Sequence, residues 1–504
     1  MEILPEELRA EFNYVIDWLH EKACARKSGM GTRLPWDPEW IIESLSDSTI
    51  YMAYYAVSRL IKEHKIQPTQ LTEAVFDYVF LGIGKVAEVA DKANLDVKVL
   101  EQMRNEFLYF YPLNSRHSGR DLVPNHLTFM IFNHTAIFPE ELWPRQIVTN
   151  GSVMMYGAKM SKSFGNIIPL REALNMFGAD PLRLSVLATA ELLQDADFSP
   201  TLAKSMRERL ERLYKFVAEV TKTRRGRRIP SEKSLTVIDR WMLSRLQEHI
   251  EMATEAMNKL AVRKAIHSTL YELDQDLQWY QRRITDEKEG AKRKSAITYV
   301  FNEVLDAQTR TLAPVTPHIC EELWEMQGGK GFVSLAAWPT PDETKVNIKA
   351  EENESLIMST LEDTLNIIKA TGMTPKKICY YVTAPWKWKT YLTVLERSVS
   401  AKVVQRDLMK DLMKDTDLKT KAEHVAKFVG QIIDEVNRIS EDRKQRLTQV
   451  GVINETQALK ETENFFKREL KAEIYVCTED DTERYDPKNR AQLAKPYRPA
   501  IYIE

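Results

Sequence analysis

Cysteine is scarce in this chain of 504 residues: there are four, Cys24, Cys320, Cys379 and Cys477, far apart and forming no C-x-x-C pair. That spacing argues against a zinc knuckle or a disulfide framework and fits a reducing cytoplasm. Long apolar runs are missing too. None reaches the roughly 20 residues that cross a bilayer, and the acidic opening MEILPEEL does not have the form of a signal peptide. No membrane role is expected. An excess of either charge is also absent: Lys+Arg number 71 and Asp+Glu 73, a formal net charge of −2. Any surface for nucleic acid therefore has to be local. His126 and His134 are not at the i, i+4 spacing of a zinc helix, so no metal site is expected. What is left is an ordinary globular composition, 43% hydrophobic and 29% charged, in a chain long enough for several domains.

The most informative stretch runs from Thr149 to Ala190. Gln146 to Thr149 reads as a strand, Asn150-Gly151 as a two-residue hairpin turn, and Ser152 to Met155 as the returning strand. Gly157 then opens a loop, Lys159-Met160-Ser161-Lys162-Ser163, followed by Gly165 and Asn166. A helix is expected from Pro169 to a C′ glycine at Gly178, and a second with Asp180 as N-cap and Pro181 at N1. A loop with two lysines and two serines in front of a helix suits a polyphosphate. Attack on the α-phosphate of ATP builds negative charge on the pyrophosphate. Lysines over that charge act more strongly in the transition state than in the ground state. Taken alone, the same five letters also fit a solvated basic turn.

Around this stretch the chain reads in order. The first thirty residues look helical, with Phe12, Val15, Ile16, Trp18 and Leu19 on one stripe. In the polar run Ser46-Asp47-Ser48-Thr49, Ser46 or Asp47 reads locally as a helix cap. Ser118-Gly119-Arg120-Asp121, ahead of Asn125 and His126, admits the edge of a nucleotide, although a lone histidine in an apolar helix is commonly a core group. The acidic segment Glu191 to Asp197 ends at the N-cap pair Ser199-Pro200. Thr221 to Lys233 is a basic linker, read as a solvated loop or as a contact to an RNA backbone. From Ile238 to Trp324 the helical spacing of Ile238, Met242, Leu246 and Ile250, then Leu273, Leu277 and Tyr280, predicts an antiparallel bundle. Beyond it, strands at Lys377 to Val382, Glu473 to Cys477 and Ala500 to Ile503 among helices predict a small α+β domain. The near-repeat Asp407 to Lys410 and Asp411 to Lys414 is expected to be an exposed helix turn.

Four stretches carry a resemblance: Gly31 to Tyr55 (GTRLPWDPEWIIESLSDSTIYMAYY), Ser118 to Pro139 (SGRDLVPNHLTFMIFNHTAIFP), the lysine loop, and Leu312 to Trp324 (LAPVTPHICEELW). The loop resembles the KMSKS signature of class I aminoacyl-tRNA synthetases, with all five letters and the following Gly-Asn. Together the stretches resemble the C-terminal part of leucyl-tRNA synthetases of the archaeal and eukaryotic-cytosolic type, the first two being what favours leucine. The resemblance implies a multidomain fold. Residues 1–195 would be the second half of an α/β Rossmann-type catalytic domain. Residues 196–340 would be an all-α tRNA-binding helix bundle, and 341–504 a small α+β C-terminal domain. It implies leucine, tRNA(Leu) and ATP with Mg2+ as substrates. Ser118, Gly119, Asn125 and His126 would lie at ATP, together with Lys159, Met160, Ser161, Lys162 and Ser163. Lys159 and Lys162 would be catalytic, and Ser46, Asp47 and Ser48 would border the aminoacyl-adenylate pocket. Arg498, Tyr502, Ile503 and Glu504 would touch tRNA, with Tyr497 stacking on an unpaired base; otherwise the tail is a strand that closes its domain.

Two departures matter. Arg120 stands where the family usually has lysine, which keeps the charge and changes the geometry. None of the nine histidines lies in an H-x-G-H run, so the HIGH signature is missing, as is the inserted editing domain. A second chain carrying both is the expected partner, unless the chain is a fragment. Little activity is expected of it alone. The competing expectation is a non-catalytic, tRNA-binding relic of such an enzyme.

Overall fold

The computed structural model describes residues 1–222, 230, 234–285, 290–400 and 402–504, with backbone alone at Lys162 and Ser400. Most of the predicted basic linker, residues 223–229 and 231–233, lies outside the described residues. The fold is rich in helix, with three-stranded sheets set among the helices. It divides into two compact units, residues 1–209 with 258–264 and residues 210–257 with 265–504.

The first unit is built on a parallel sheet. Glu2–Leu4, Gln146–Asn150 and Arg116–Gly119 lie side by side in that order, with Ile3 opposite Ile147, Ser118 opposite Thr149 and Gly119 opposite Asn150. The middle strand is buried through Ile147, Val148 and Thr149, the β-branched run expected of a strand covered on both faces. The helices Arg9–Trp18 and Thr128–Ile137 flank this sheet. Phe12 and Met130 from them join Ile3, Leu127 and Ile147 in one core. A second helical layer, Tyr51–Glu63, Val86–Ala93 and Val97–Phe110, closes around Val57, Leu60, Met103 and Phe107.

The helical reading of the first thirty residues is corrected. Only Arg9–Trp18 is α-helix there; Glu2–Leu4 is a strand, and Ala25–Arg26 pairs with Asp37–Ile42. Phe12 and Val15 are buried as the stripe predicts, while Trp18 is 53% exposed. The partner that takes Glu2–Leu4 out of a helix lies more than 140 residues away, at Gln146–Val148. Local periodicity cannot register such a partner.

In the second unit the predicted helical spacing holds. Ile238, Met242, Leu246 and Ile250 of the helix Val237–Asn258 are buried together with Leu277 and Tyr280 of Leu273–Arg283 and Val300 and Val304 of Ala291–Leu312. The helix Ile348–Thr371 packs on this bundle and on the sheet beyond it. That sheet has Lys377–Val382 in the middle, parallel to Glu473–Thr478 and antiparallel to Ala500–Ile503. The near-repeat at Asp407 is no exposed turn. Leu408 and Leu412 of the helix Gln405–Leu412 are buried in one cluster with Phe428 and Ile432. A spacing of four places both leucines on the same face, which is why the motif repeats.

Candidate nucleotide site and its loop

The strand Gln146–Asn150 does not turn back at Asn150-Gly151. There the chain passes against residues 192–195. The Gly151 N–H donates to the Leu192 carbonyl (3.0 Å), and the Ser152 N–H donates to the Asp195 carboxylate (2.7 Å). A Cβ on Gly151 would stand 2.4 Å from the Gln194 carbonyl oxygen, so glycine is needed for this close approach. The chain then enters a second sheet. Here Val153–Met155 pairs in parallel with Ala196–Phe198 and antiparallel with Ala158–Lys159. The true hairpin turn is Tyr156-Gly157, with φ of +54° and +71°, the signs that a type I′ turn requires. Gly157 is thus part of the turn, and its N–H donates to the Asp197 carboxylate (2.9 Å). The acidic segment that reads in sequence only as charge supplies both anchors, Asp195 and Asp197.

Lys159 ends the hairpin and begins the lysine loop, which continues through a single 3-10 turn, Lys162–Phe164. One side chain clasps the loop from below. Asn166 accepts the Ser161 N–H (2.8 Å) and donates to the Lys159 carbonyl (3.1 Å). Ser161 and Ser163 share a hydroxyl hydrogen bond of 2.7 Å. Gly165 takes φ +64° just before the clasp. The Lys159 side chain is exposed and makes no ion pair among the described residues. The helix Leu170–Phe177 follows and ends at Gly178 (φ +87°), as expected. The next helix, Ala179–Leu187, starts straight from Gly178. Asp180 is therefore a buried residue of its first turn and not the N-cap. A glycine in a left-handed conformation joins the two helices with no intervening loop.

Ser118 and Gly119 occupy the carboxyl end of an edge strand of the parallel sheet, the place where open α/β sheets receive ligands. Next to them, Val123–Leu127 forms a π-helical turn that holds Asn125 and His126. The Asn125 side-chain Oδ1 accepts the His126 N–H (2.5 Å), and the His126 ring lies 3.3 Å from the Arg116 guanidinium. Burial first, and the Arg116 charge second, hold the His126 pKa below the usual imidazole value, so the ring is neutral at neutral pH. Arg120 turns away from this cluster and pairs with Glu11 at 3.0 Å. His134 is a core group: it meets the Tyr111 hydroxyl at 3.2 Å and the Met130 carbonyl at 2.8 Å.

Ser46 and Asp47 are not caps. Both lie within the one-turn helix Ser44–Asp47, whose N-cap is Glu43, and no side chain closes it. Ser48 follows directly. What fixes this turn is Thr49, fully buried, which donates to the Leu45 carbonyl (2.9 Å) and accepts from Asn133 (2.6 Å) of the helix Thr128–Ile137. Asn133 was the visible signal, an amide in the apolar run TFMIFNH. The structure thus sets Ser118 and Gly119 at the carboxyl end of the edge strand and the His126 ring against Arg116, where that strand starts. It holds the lysine loop on the adjoining hairpin and ties the Ser46–Ser48 turn to the helix that follows His126.

The tail residues belong to the second unit. Ile503 is buried opposite Ile378 in the sheet, and Tyr502 lies opposite Cys379. The Glu504 carboxylate accepts from the hydroxyls of Tyr485 (2.7 Å) and Tyr502 (3.3 Å). Arg498 is exposed and lies 3.4 Å from Asp363. The Tyr497 ring is not available for a base. It packs edge-on against Trp388, with centroids 4.9 Å apart, because the chain turns inward there.

Two family models match. Residues 104–212 match "tRNA synthetases class I (M)", and residues 239–379 match "Anticodon-binding domain of tRNA ligase". The first match contains Ser118–His126 and the lysine loop. Over its whole length the chain is 42% identical to the leucine–tRNA ligase of Methanosarcina acetivorans, covering 51% of that protein. It is 43% identical to that of Pyrococcus horikoshii, covering 50% of it. The crystal structure of the Agrobacterium radiobacter K84 agnB2 LeuRS-tRNA-LeuAMS ternary complex aligns with 64% of this chain and 38% of its own, at 18% identity and a TM-score of 0.43, too slight a likeness to argue from. The chain belongs to the leucine–tRNA ligase family and corresponds to its C-terminal part, spanning about half the length of the curated relatives it matches.

Proposed function

We propose that the chain is the loop-bearing part of a cytoplasmic leucine–tRNA ligase. Together with a second chain that carries the HIGH half and the editing domain, it activates leucine with the magnesium salt of ATP and passes the leucyl group to tRNA(Leu). The observation that carries this reading is the lysine loop held in shape by Asn166 on a hairpin anchored through Asp197. A loop kept only for binding RNA has no use for such a clasp around residues that close on phosphates.

In this reading Ser118 and Gly119 let the nucleotide approach the end of the parallel sheet, and Asn125 and neutral His126 offer polar contacts without repelling or attracting charge. Lys159 and Lys162 stabilise the negative charge that grows on pyrophosphate, while Met160, Ser161 and Ser163 line the closing loop. Ser46, Asp47 and Ser48 border the adenylate. Residues 1–195 form half of the catalytic domain, 196–340 the helical tRNA-binding domain, and 341–504 the C-terminal domain. In the tail, Ile503 anchors the closing strand so that Arg498, Tyr502 and Glu504 can meet the tRNA.

The test is leucine-dependent ATP–pyrophosphate exchange by the chain combined with its HIGH-bearing partner. Lys162→Ala should slow exchange by the equivalent of about 2–4 kcal/mol, as for other donors that act on charge developing in the transition state, and leave leucine binding nearly unchanged. An unchanged exchange rate would make the loop structural and favour the non-catalytic, tRNA-binding relic.

A further inference from the structure

The segment leading into the terminal strand is held more tightly than a domain-closing loop needs. Lys495-Pro496-Tyr497-Arg498 is a turn in which the Arg498 N–H donates to the Lys495 carbonyl (2.8 Å) and Tyr497 takes φ +65°. Proline followed by a positive φ is the pattern of a type II turn, whose third position ordinarily belongs to glycine or asparagine. A tyrosine there is strained and persists only where its surroundings over-determine it.

Two buried side chains do that, both gripping backbone. The Tyr497 N–H donates to the Glu455 carboxylate (2.7 Å), which also accepts from the Thr383 N–H (3.2 Å) and the Trp388 indole (3.3 Å). The Lys387 ammonium, 4% exposed, donates to the carbonyls of Gln492 (2.8 Å) and Ala494 (2.9 Å) and pairs with Glu479 (2.8 Å). A buried lysine thus fixes one end of the segment and a buried carboxyl group the other. The segment so held walls an open cleft of about 590 Å3, facing Asp363 and Asn366 of the helix Ile348–Thr371. It presents Arg490, Lys495 and Arg498 there, with the half-exposed Leu493 between them. Arg490 makes no ion pair among the described residues, while Lys495 and Arg498 pair with Glu435 (2.6 Å) and Asp363 (3.4 Å). Burying two ionisable groups to hold one surface turn is costly unless the turn's position matters.

We propose that Lys387 and Glu455 are positioning residues for RNA recognition. They touch no RNA; they hold residues 490–498 so that Arg490, Lys495 and Arg498 meet the backbone of an unpaired RNA segment lying in the cleft. This rests on the reading of the tail as a tRNA-contacting element. Because the cations are held in advance, less ordering entropy is lost on binding.

The test is equilibrium filter binding of the full chain to a transcribed leucine tRNA over a series of salt concentrations. Lys387→Met and Glu455→Gln should each raise Kd on the order of tenfold. They should also lower the slope of log K against log salt by about one, as when a phosphate contact is lost. A change that only loosened packing would leave that slope alone. Tyr497→Gly keeps both side chains and releases the strained turn; it should weaken binding in the same way, and it keeps the test decisive if a charge variant does not fold. Unchanged Kd and slope in the folded positioning variants, alongside weaker binding by Arg490→Ala and Arg498→Ala, would overturn the proposal and leave the tail reading intact. If those two alanine variants and a deletion of Tyr502 to Glu504 all bind as before, the tail reading fails and takes the proposal with it.

Discussion

Replacing Glu455 by glutamine should change stability by an amount that depends on pH. The side chain is 3% exposed, and burial, the largest influence on it, pushes its pKa from 4.5 up to about 7. The hydrogen bonds donated by Thr383, Tyr497 and Trp388 favour the charged form but do not cancel the burial. In the unfolded chain the group loses its proton near pH 4.5, and in the folded chain near pH 7. Between those values the folded state holds more protons, so this group's contribution falls as pH rises through the window and is level outside it. The span of about 2.5 units, at roughly 1.36 kcal/mol each, amounts to about 3 kcal/mol. Glutamine does not titrate. The stability of the variant relative to the parent should therefore improve by about 3 kcal/mol between about pH 4.5 and about pH 8, whatever constant offset the amide introduces. Urea unfolding followed by circular dichroism across that range measures the difference. A difference that stays level, or that moves in favour of the carboxylate as pH rises, would refute the reasoning.

Two further substitutions probe the hairpin and the loop. Gly151→Ala sets a methyl group 2.4 Å from the Gln194 carbonyl oxygen, a backbone atom that cannot simply swing aside. It should destabilise the protein by about 1–3 kcal/mol, as overpacking does, and a thermal melt indistinguishable from the parent's would contradict it. Asn166→Ala removes two hydrogen bonds of an exposed loop, worth about 1–3 kcal/mol together. Tryptic cleavage at Lys159 and Lys162 should then be at least several-fold faster; equal cleavage rates would show that Asn166 does not order the loop.

The parts of the fold that read correctly from sequence are those whose causes lie close together in the chain. The loop ahead of the helix Leu170–Phe177 is one, bracketed by Gly157 and Gly165 within a few letters. The helix ending at Gly178 and the bundle positions Ile238, Met242, Leu246 and Ile250 are others, set by a single glycine and by a period of one turn. The hairpin's position is not legible in the sequence because two X-Gly pairs compete for it, Asn150-Gly151 and Tyr156-Gly157. The choice rests on Gln194 and Asp197, some forty residues further on. Glu2–Leu4 is not legible as a strand for the same reason, its partner being the distant strand Gln146–Asn150. The clasp by Asn166, the Thr49–Asn133 bond and the grip of Lys387 on Gln492 and Ala494 leave no periodic trace, since each is one polar atom meeting a backbone or side chain brought near only by folding. Asn133 leaves a weaker sign, a polar side chain at the end of the apolar run Phe129 to Phe132.

The most direct test of the central claim is leucine-dependent ATP–pyrophosphate exchange, measured for the purified chain alone and again after adding a chain that carries the HIGH half. A nucleotide site of this kind is a crevice at the carboxyl ends of strands from both halves of a doubly wound sheet. In the proposed site this chain would supply the strand Arg116–Gly119 and the lysine loop to one side of it. The account predicts no useful exchange by the chain alone and rapid exchange once the second chain is present, lost again when Lys162 is replaced by alanine. Robust exchange by the single chain, or none in the reconstituted pair, would contradict it.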